Sequence, residues 1–212
     1  MTASLPTLST LLRIGETDTP TDTRIMDAAR ELFIECGTNF TIDDLVARSG
    51  ISRATVFRRF GTKESVIQRT FQREIRDGIV QIVTAAAERP TATERAVELI
   101  TSLLLVAVRH PILRHLAGTT PPSLSLLGAS GDPSPLTMVG QIMNDALLLA
   151  SAEVGRPLPL PVDQTVDILI HTIAGYTYFP YGTLADTDEE HLRAAIERFV
   201  RRLLPDVDPS RS

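Results

Sequence analysis

A short stretch of the chain combines basic, small and hydroxyl-bearing side chains in a pattern suited to contacts with nucleic acid. From Leu45 to Lys63 the sequence has five basic residues and no acidic one, although the whole chain carries a formal net charge of -5. Basic side chains neutralise phosphates, and arginine also pairs with guanine in the major groove. A basic surface on an acidic protein therefore indicates a local contact with nucleic acid. A solvated helix face is the alternative interpretation of this charge run.

Two short helices joined by a glycine-containing turn are the elements that would position these side chains. Residues 41–44 have the capping-box pattern that opens a helix, and Gly50 ends that helix. Ser52 then caps a second helix, in which Val56 and Phe60 share an inward face. This arrangement predicts a helix-turn-helix, whose second helix lies in the major groove. From the pattern alone, an ordinary helical hairpin is an equally good interpretation.

Helical patterns continue along the rest of the chain, without a strand pattern or an internal repeat. The first helix is expected to begin at Asp22 or Thr23, and a long helix follows Thr62 until Pro90. We expect an all-α fold in which a three-helix helix-turn-helix domain is joined by a long helix to a helical C-terminal ligand-binding and dimerisation domain. The expected divisions are a flexible arm at 1–20, the DNA-binding domain at 21–66, the C-terminal domain at 67–206 and a tail at 207–212. A long loop is expected at 118–135, because this stretch is rich in glycine and proline.

Several classes of protein are disfavoured by composition. The chain has one cysteine, Cys36, so an intramolecular disulfide is impossible and a reducing compartment is expected. Cys36 lies at the end of an apolar stripe, which predicts an inert core position. There is no apolar run of about 18 residues and no secretion signal, so we expect a cytoplasmic protein without a membrane partner.

Enzymatic chemistry has no support in the sequence. It contains no phosphate-binding glycine motif, no nucleophile elbow and no Cys/His cluster with metal-ligand spacing. His110, His115 and the pair His171 and Asp167 are expected to be structural. We therefore predict no catalytic residues, no metal site and no cofactor.

Residues 24–67 resemble the DNA-binding domain of the TetR family of transcriptional regulators. The matching segments are Arg24–Phe33, Gly37, Thr41–Leu45, Ser49–Phe60 and Lys63–Glu64. The resemblance implies that operator DNA, in double-stranded form, is contacted by Thr41, Ser52, Arg53, Ala54, Thr55, Phe57, Arg58, Arg59 and Lys63. The rest of the chain resembles the family in architecture only.

Three positions depart from the family pattern. Phe57 stands where tyrosine is usual, which removes a hydrogen bond to phosphate. Arg59 replaces the usual histidine, which should strengthen binding to the DNA backbone and its salt dependence. The stretch after Gly37 is one residue short, so the first helix is expected to dock slightly differently.

The C-terminal helices are rich in apolar residues and hold few charges. Such a composition suits a largely apolar pocket with a few orienting polar groups, although a closed core is the alternative for each residue. The resemblance implies a small-molecule effector in this domain. The pocket residues that we expect are Leu103, Leu104, Asn144, Leu147, His171, Thr172 and Tyr176.

The last two helices are the expected dimer face, as the resemblance implies. Small residues among apolar ones would allow close packing there, although an ordinary intrachain core is nearly as good an interpretation of each residue. The residues of this expected interface are Ile168, Gly175, Leu192, Ala195, Ile196 and Phe199.

Together these observations favour a homodimeric transcriptional repressor that binds a palindromic operator and is released by a small lipophilic effector. The alternative is a small-molecule-binding or interaction protein on the same scaffold that does not bind DNA. The basic stretch and the small Ala54-Thr55 pair favour the regulator. Whether it represses or activates is left open by the sequence.

Overall fold

The computed structural model describes residues 18–113, 135–178, 182 and 187–204. Within these residues the chain is helical, without a strand, which confirms the all-α prediction. The helices are α1 (Pro20–Cys36), α2 (Ile42–Ser49), α3 (Arg53–Phe60), α4 (Lys63–Ala87), α5 (Ala92–Arg109), α6 (Pro135–Val154), α7 (Val162–Tyr178) and α8 (Glu189–Arg201). A 3₁₀ turn, Gly37–Asn39, follows α1, and residues 111–113 are also helical. The predicted loop at 118–135, apart from Pro135 at the start of α6, lies outside the described residues, as do the tail at 207–212 and residues 1–17 of the predicted arm.

Helix α1 begins earlier than its sequence pattern predicts. Thr19, and not Asp22 or Thr23, is the N-cap, and Pro20 occupies the first helical position. The Asp22 amide donates to the Thr19 hydroxyl oxygen, while the Asp22 carboxylate accepts a hydrogen bond from the Thr19 amide. This reciprocal capping box is what extends the helix to Pro20.

The other boundaries agree with the cap residues within a few positions. Thr41, Ser52 and Thr62 cap α2, α3 and α4 as predicted, and each hydroxyl accepts from a backbone amide three residues later. Helix α8 begins at Glu189 because the Asp188 side chain caps it. Local hydrogen bonding therefore accounts for most helix starts.

The described residues bury two hydrophobic cores. One contains side chains of α1, α2, α3 and the first half of α4, and it also includes Ile112 and Leu113 from the segment after α5. The other joins the second half of α4 with α5, α6, α7 and α8. Helix α4 therefore belongs to both cores, and residues 112–113 return from the C-terminal bundle to the N-terminal one.

Two expectations from composition, on membrane-spanning helices and on Cys36, can be compared with the structure. No helix in the described part of the chain is both long and apolar enough to cross a membrane. Cys36 is exposed, contrary to the predicted core position, and its thiol donates to the Leu32 carbonyl oxygen at 3.2 Å. The prediction was wrong because Gly37 ends the helix at this point, so the final turn lies beyond the apolar face that packs inward.

Candidate nucleic-acid interface

The turn between α2 and α3 has the geometry that a helix-turn-helix requires. Gly50 has a left-handed backbone conformation, with φ 65° and ψ 18°, and its amide donates to the Val46 carbonyl oxygen. A side chain other than glycine would strain this conformation. After the turn, the Ser52 hydroxyl oxygen accepts from the Thr55 amide at 3.3 Å and begins α3. The turn thus sets the start of α3 by local hydrogen bonds.

Helix α3 buries one side and exposes the other. Val56 and Phe60 are almost completely buried in the N-terminal core, as predicted. The outward face consists of Ser52, Arg53, Ala54, Phe57, Arg58 and Arg59, with Thr55 half-buried at its edge. Of the other predicted contacts, Thr41 is exposed at the start of α2 and Lys63 is half-buried at the start of α4. The structure therefore groups most of the predicted contact residues on the outward face of α3.

Three arginines of the basic stretch, Arg48, Arg53 and Arg59, have acidic partners. Arg53 Nη1 lies 2.7 Å from Asp43 Oδ1, and both side chains are well exposed. Arg48 binds Glu31 and Glu35 at 3.0 and 2.8 Å. The absence of acids within 45–63 therefore does not leave these charges uncompensated, because the partners come from α1 and the first turn of α2. The sequence interpretation was wrong on this point, since a count along the chain does not register acids that the fold brings alongside.

Arg59 is tied to the start of α1. Its Nη1 donates to Thr19 Oγ1 at 2.9 Å and to Asp22 Oδ2 at 3.1 Å. Asp22 is only 4% exposed. Burial would raise its pKa, but hydrogen bonds from Thr19 and the charges of Arg59 and Arg69 hold the pKa below the ordinary 3.8. The replacement of the usual histidine by Arg59 therefore gives α3 an ionic link to α1.

Lys63 also makes intramolecular contacts. Its Nζ donates to the Thr38 carbonyl oxygen at 2.7 Å and lies 5.0 Å from the centre of the Phe40 ring. These contacts hold the shortened connection after Gly37 against the start of α4. The ammonium group has further hydrogens with which it could contact a phosphate.

Arg58 and Arg24 differ from the other cations of this region. Both are exposed, and neither has an ion-pair partner among the described residues. The Arg24 guanidinium lies beside the turn, within 3.0 Å of the position that a Cβ atom on Gly50 would occupy. Sequence reasoning did not single out Arg24 as a contact, because it lies on α1, well before the basic stretch.

The N-terminal part of the chain matches a known family. Residues 25–70 match the family model of bacterial regulatory proteins of the tetR family. The helix-turn-helix thus lies in a stretch that is similar to this family. The resemblance inferred from the sequence is thereby confirmed.

Solved structures show that the similarity in fold extends beyond these residues and covers most of the chain. A TetR/AcrR regulator from Thermobifida fusca is 19% identical, with a TM-score of 0.64, and the match covers 86% of this chain and 97% of the other. FadR from Bacillus subtilis, in complex with stearoyl-CoA, is 17% identical with a TM-score of 0.64, covering 86% and 99%. A TetR-family regulator from Pectobacterium atrosepticum is 16% identical with a TM-score of 0.65, covering 88% and 95%. No curated protein sequence matches the chain. At these identities the similarity establishes the fold.

Behind the helix-turn-helix the structure contains a cavity of about 440 Å³. It lies between α4 and α5, and it is also lined by Arg30 of α1, Ile112 and Leu113, Val139 of α6 and the Ile173-Ala174 pair of α7. This places it between the two cores, and not wholly inside the C-terminal bundle as predicted.

Most of the predicted pocket residues lie elsewhere. Leu103 lines the cavity, but Leu104 and Leu147 are buried in the C-terminal core. Asn144 faces an open cleft between α6 and α7, and the His171 side chain is exposed. The Thr172 hydroxyl donates to the Ile168 carbonyl oxygen, and Tyr176 packs against the core. These six residues do not line this cavity, and their role in binding an effector remains a prediction.

The predicted dimer residues divide into two groups. Ile168 and Phe199 are 47% and 45% exposed, Gly175 is exposed and Ala195 is half-buried. Leu192 and Ile196 are instead buried in the chain's own C-terminal core. Their assignment to an interface was wrong, because they lie on the side of α8 that packs against α5. The first group remains available on the outer surface of α7 and α8.

Proposed function

We propose that this chain is a one-component transcriptional repressor that binds a palindromic operator as a homodimer and is released by a small lipophilic effector. The observation that carries the proposal is the outward face of α3. It combines small residues with cations in a helix-turn-helix whose inward residues are buried. A family-model match over residues 25–70 supports the same conclusion.

The contacts to DNA divide by chemistry. Arg53, Ala54 and Thr55 lie in the first turn of α3, where a recognition helix approaches base edges. Arginine can bind guanine there, and the threonine methyl group can contact thymine. Arg58 and Arg24 are suited to phosphates, because neither is committed to a carboxylate among the described residues.

Binding requires some ion pairs to exchange partners. The Arg53–Asp43 pair is exposed, and such pairs contribute only about 0–1 kcal/mol, so a phosphate or a base can replace Asp43 at little cost. Arg59 is different, since its partner Asp22 is buried and would lose this ion pair if Arg59 moved away. We therefore assign Arg59 to positioning α3, with any phosphate contact made in addition to its bond to Asp22.

Dimerisation is proposed through the outer surface of α7 and α8. Ile168 and Phe199 are large apolar side chains that are nearly half exposed, and Gly175 and Ala195 allow close approach. Two helix-turn-helix units related by a two-fold axis can occupy half-sites about 34–36 Å apart, or a multiple of this distance.

A second candidate function is ligand binding or protein interaction on this scaffold without DNA binding. The intramolecular pairing of Arg48, Arg53 and Arg59 favours it, because paired cations contribute less to the potential that attracts DNA. The exposed Arg58 and Arg24 and the small residues of α3 favour the regulator.

A selection from a random double-stranded DNA library, followed by fluorescence anisotropy with the enriched sequence, tests the proposal. We expect an enriched palindrome, and we expect Ala54→Glu to abolish binding because it places a carboxylate against the base edges. Ala85→Glu, at an exposed position of α4, is the matched control and should bind normally. Failure to enrich any sequence at low salt would favour the second candidate.

A further inference from the structure

The cavity between the two cores has one end that is suited to a polar group. Its walls are mostly apolar, but Arg30, Glu74, Asp77 and His110 also line it. The Nδ1 atom of His110 is buried and has no hydrogen-bond partner among the described residues. An unpaired buried polar atom is costly, and a ligand group that satisfies it gains affinity.

The charged groups of the cavity compensate each other. Arg30 Nε lies 2.7 Å from Glu74 Oε1, and Arg76 Nη2 lies 2.7 Å from Asp77 Oδ1. Burial lowers the pKa of His110 below its ordinary value of 6.5, an effect that the charge of Glu74 opposes and that of Arg30 reinforces. At neutral pH the imidazole is therefore uncharged, and the charged side chains that line the cavity among the described residues are paired.

We propose that this cavity binds an uncharged lipophilic molecule with a single hydroxyl group, which hydrogen-bonds the imidazole of His110. A hydroxyl suits either tautomer of the imidazole, because it can both donate and accept. An ionic head group would lose its hydration without gaining a counter-ion, so carboxylates and amines should bind more weakly. This ligand class is a more specific form of the effector in the proposed function. Binding to the cavity does not depend on that function, whereas release of DNA by the ligand does.

The position of the cavity links its contents to the DNA-binding domain. Ile112 and Leu113 line it and also pack in the N-terminal core, while Arg30 comes directly from α1. A ligand here contacts both cores at once, so its binding depends on their relative arrangement. A ligand that favours one arrangement shifts the population towards it by no more than its difference in affinity.

Three probes with the same ten-carbon chain test the ligand class. Binding of 1-decanol, decanoate and decylamine to the full chain would be measured by calorimetry and by thermal shift at pH 7. We expect 1-decanol to bind and to raise the melting temperature, with decanoate and decylamine about tenfold weaker or more. Equal or tighter binding of decanoate or decylamine would overturn the proposed class.

Filling the cavity tests the location. Gly78 lines the cavity on α4, and a Cβ atom there would meet no heavy atom within 4 Å. Gly78→Leu should therefore fold, because it also removes a glycine from a helix interior, and should lose at least about tenfold in affinity for 1-decanol. Ala85→Leu adds the same side chain at an exposed position of the same helix and should bind as the parent does. Unchanged binding by a folded Gly78→Leu variant would place the site elsewhere.

Substitutions of His110 test the hydrogen bond. His110→Leu should weaken binding of 1-decanol about fivefold, because the hydrogen bond to the hydroxyl group is lost. The weaker binding of decane, which has no hydroxyl group, should be unchanged. His110→Asn keeps a hydrogen-bonding atom near the position of Nδ1 and should recover most of the affinity. His171→Leu on the exposed side of α7 is the control. Equal affinity of the Leu and Asn variants for 1-decanol would show that His110 does not bind the hydroxyl group.

The failure of this proposal is distinguishable from that of the proposed function. Calorimetry reports binding to the protein alone, whereas anisotropy with the selected palindrome reports release of DNA. Binding of 1-decanol at His110 without any DNA binding would contradict the regulator and support the cavity. DNA binding without measurable binding of 1-decanol would support the regulator and overturn the cavity proposal.

Discussion

The two hydrophobic cores are built from different side chains. The N-terminal core contains four buried phenylalanines, Phe33, Phe40, Phe60 and Phe71, packed between short helices. The C-terminal core consists of buried Leu, Ile, Val, Ala and Met side chains on longer helices. Aromatic rings therefore fill much of the first core, and aliphatic side chains fill the second. The empty cavity lies where the two kinds of core meet.

The cores also differ in how their surfaces are tied together. Ion pairs join α4 to α1 and its preceding residues at Asp18–Arg69, Asp27–Arg73 and Arg30–Glu74. Arg59 adds a fourth link from α3 to Asp22. In the C-terminal domain, Glu98 gathers Arg89 and Arg193, but the outer faces of α7 and α8 leave apolar side chains exposed. Ion pairs therefore tie α1, α3 and α4 together, whereas the outer faces of α7 and α8 keep exposed apolar side chains.

The largest effect is expected from breaking the proposed dimer surface. Phe199→Arg and Ile168→Arg each place a charge in it and should give monomers, because a buried unpaired charge is strongly unfavourable. Specific DNA affinity should fall by about a thousandfold or more, towards the non-specific level. Light scattering and anisotropy measure the two effects. Leu148→Arg, at a similarly exposed position of α6, is the control, and a dimer that persists in both variants would exclude this surface.

The next effect concerns the link between α3 and α1. Asp22→Ala should lower the free energy of unfolding by about 2–3 kcal/mol, because it removes the Asp22 half of the capping box with Thr19 and the carboxylate that pairs with Arg59. Urea denaturation measures this change. Asp27→Ala breaks a more exposed pair with Arg73 and should cost less than about 1 kcal/mol. An equal loss in the free energy of unfolding for the two variants would contradict a larger contribution from the buried Asp22.

The same carboxylate predicts the behaviour of the protein in acid. The pKa of Asp22 is lower in the folded state than its ordinary 3.8, so the unfolded state binds the proton more readily. The stabilisation from Asp22 is therefore complete above that value and is lost as the pH falls through the folded pKa. Asp22→Ala should lose this part of the acid dependence.

A smaller effect separates Arg58 from Arg59 in DNA binding. Arg58→Ala should reduce the slope of log affinity against log salt by about 0.9 with little change in stability, because the side chain is exposed and has no described ion pair. Arg59→Ala should weaken binding and also lower the melting temperature, since Asp22 loses its partner. Anisotropy at several salt concentrations and thermal unfolding measure both. An unchanged melting temperature for Arg59→Ala would contradict its role in positioning α3 and leave a phosphate contact as its only role.

The smallest effect is expected from His110. Burial lowers its pKa in the folded state, with Glu74, Asp77 and Arg30 as the charged groups around it, so the unfolded state takes up the proton first. Stability should therefore decrease as the pH falls below 6.5, by at most about 1.4 kcal/mol per pH unit. His110→Leu should show a shallower dependence between pH 6.5 and 5, measured by urea denaturation. An identical dependence in the two proteins would contradict the burial of an uncharged imidazole.

The sequence by itself determined the all-α class, the helix-turn-helix and most of the cap residues. These features depend on interactions between residues three or four positions apart, such as those of Thr41 with Asp44 and of Ser52 with Thr55. The inward positions of Val56 and Phe60 follow from the same short period. Information of this kind lies within a single stretch of the chain.

Only the tertiary structure decided the partners of the cations, the place of the cavity and the division of the dimer residues. Asp22 and Arg59 are 37 positions apart, and Arg30 and Glu74 are 44 apart. Which helix faces meet depends on crossing angles and side-chain volumes across the whole bundle, and residue types along one helix do not encode these. Leu192 and Phe199 show the consequence, since both lie on the apolar side of α8, yet one is buried in the chain's own core and the other is exposed.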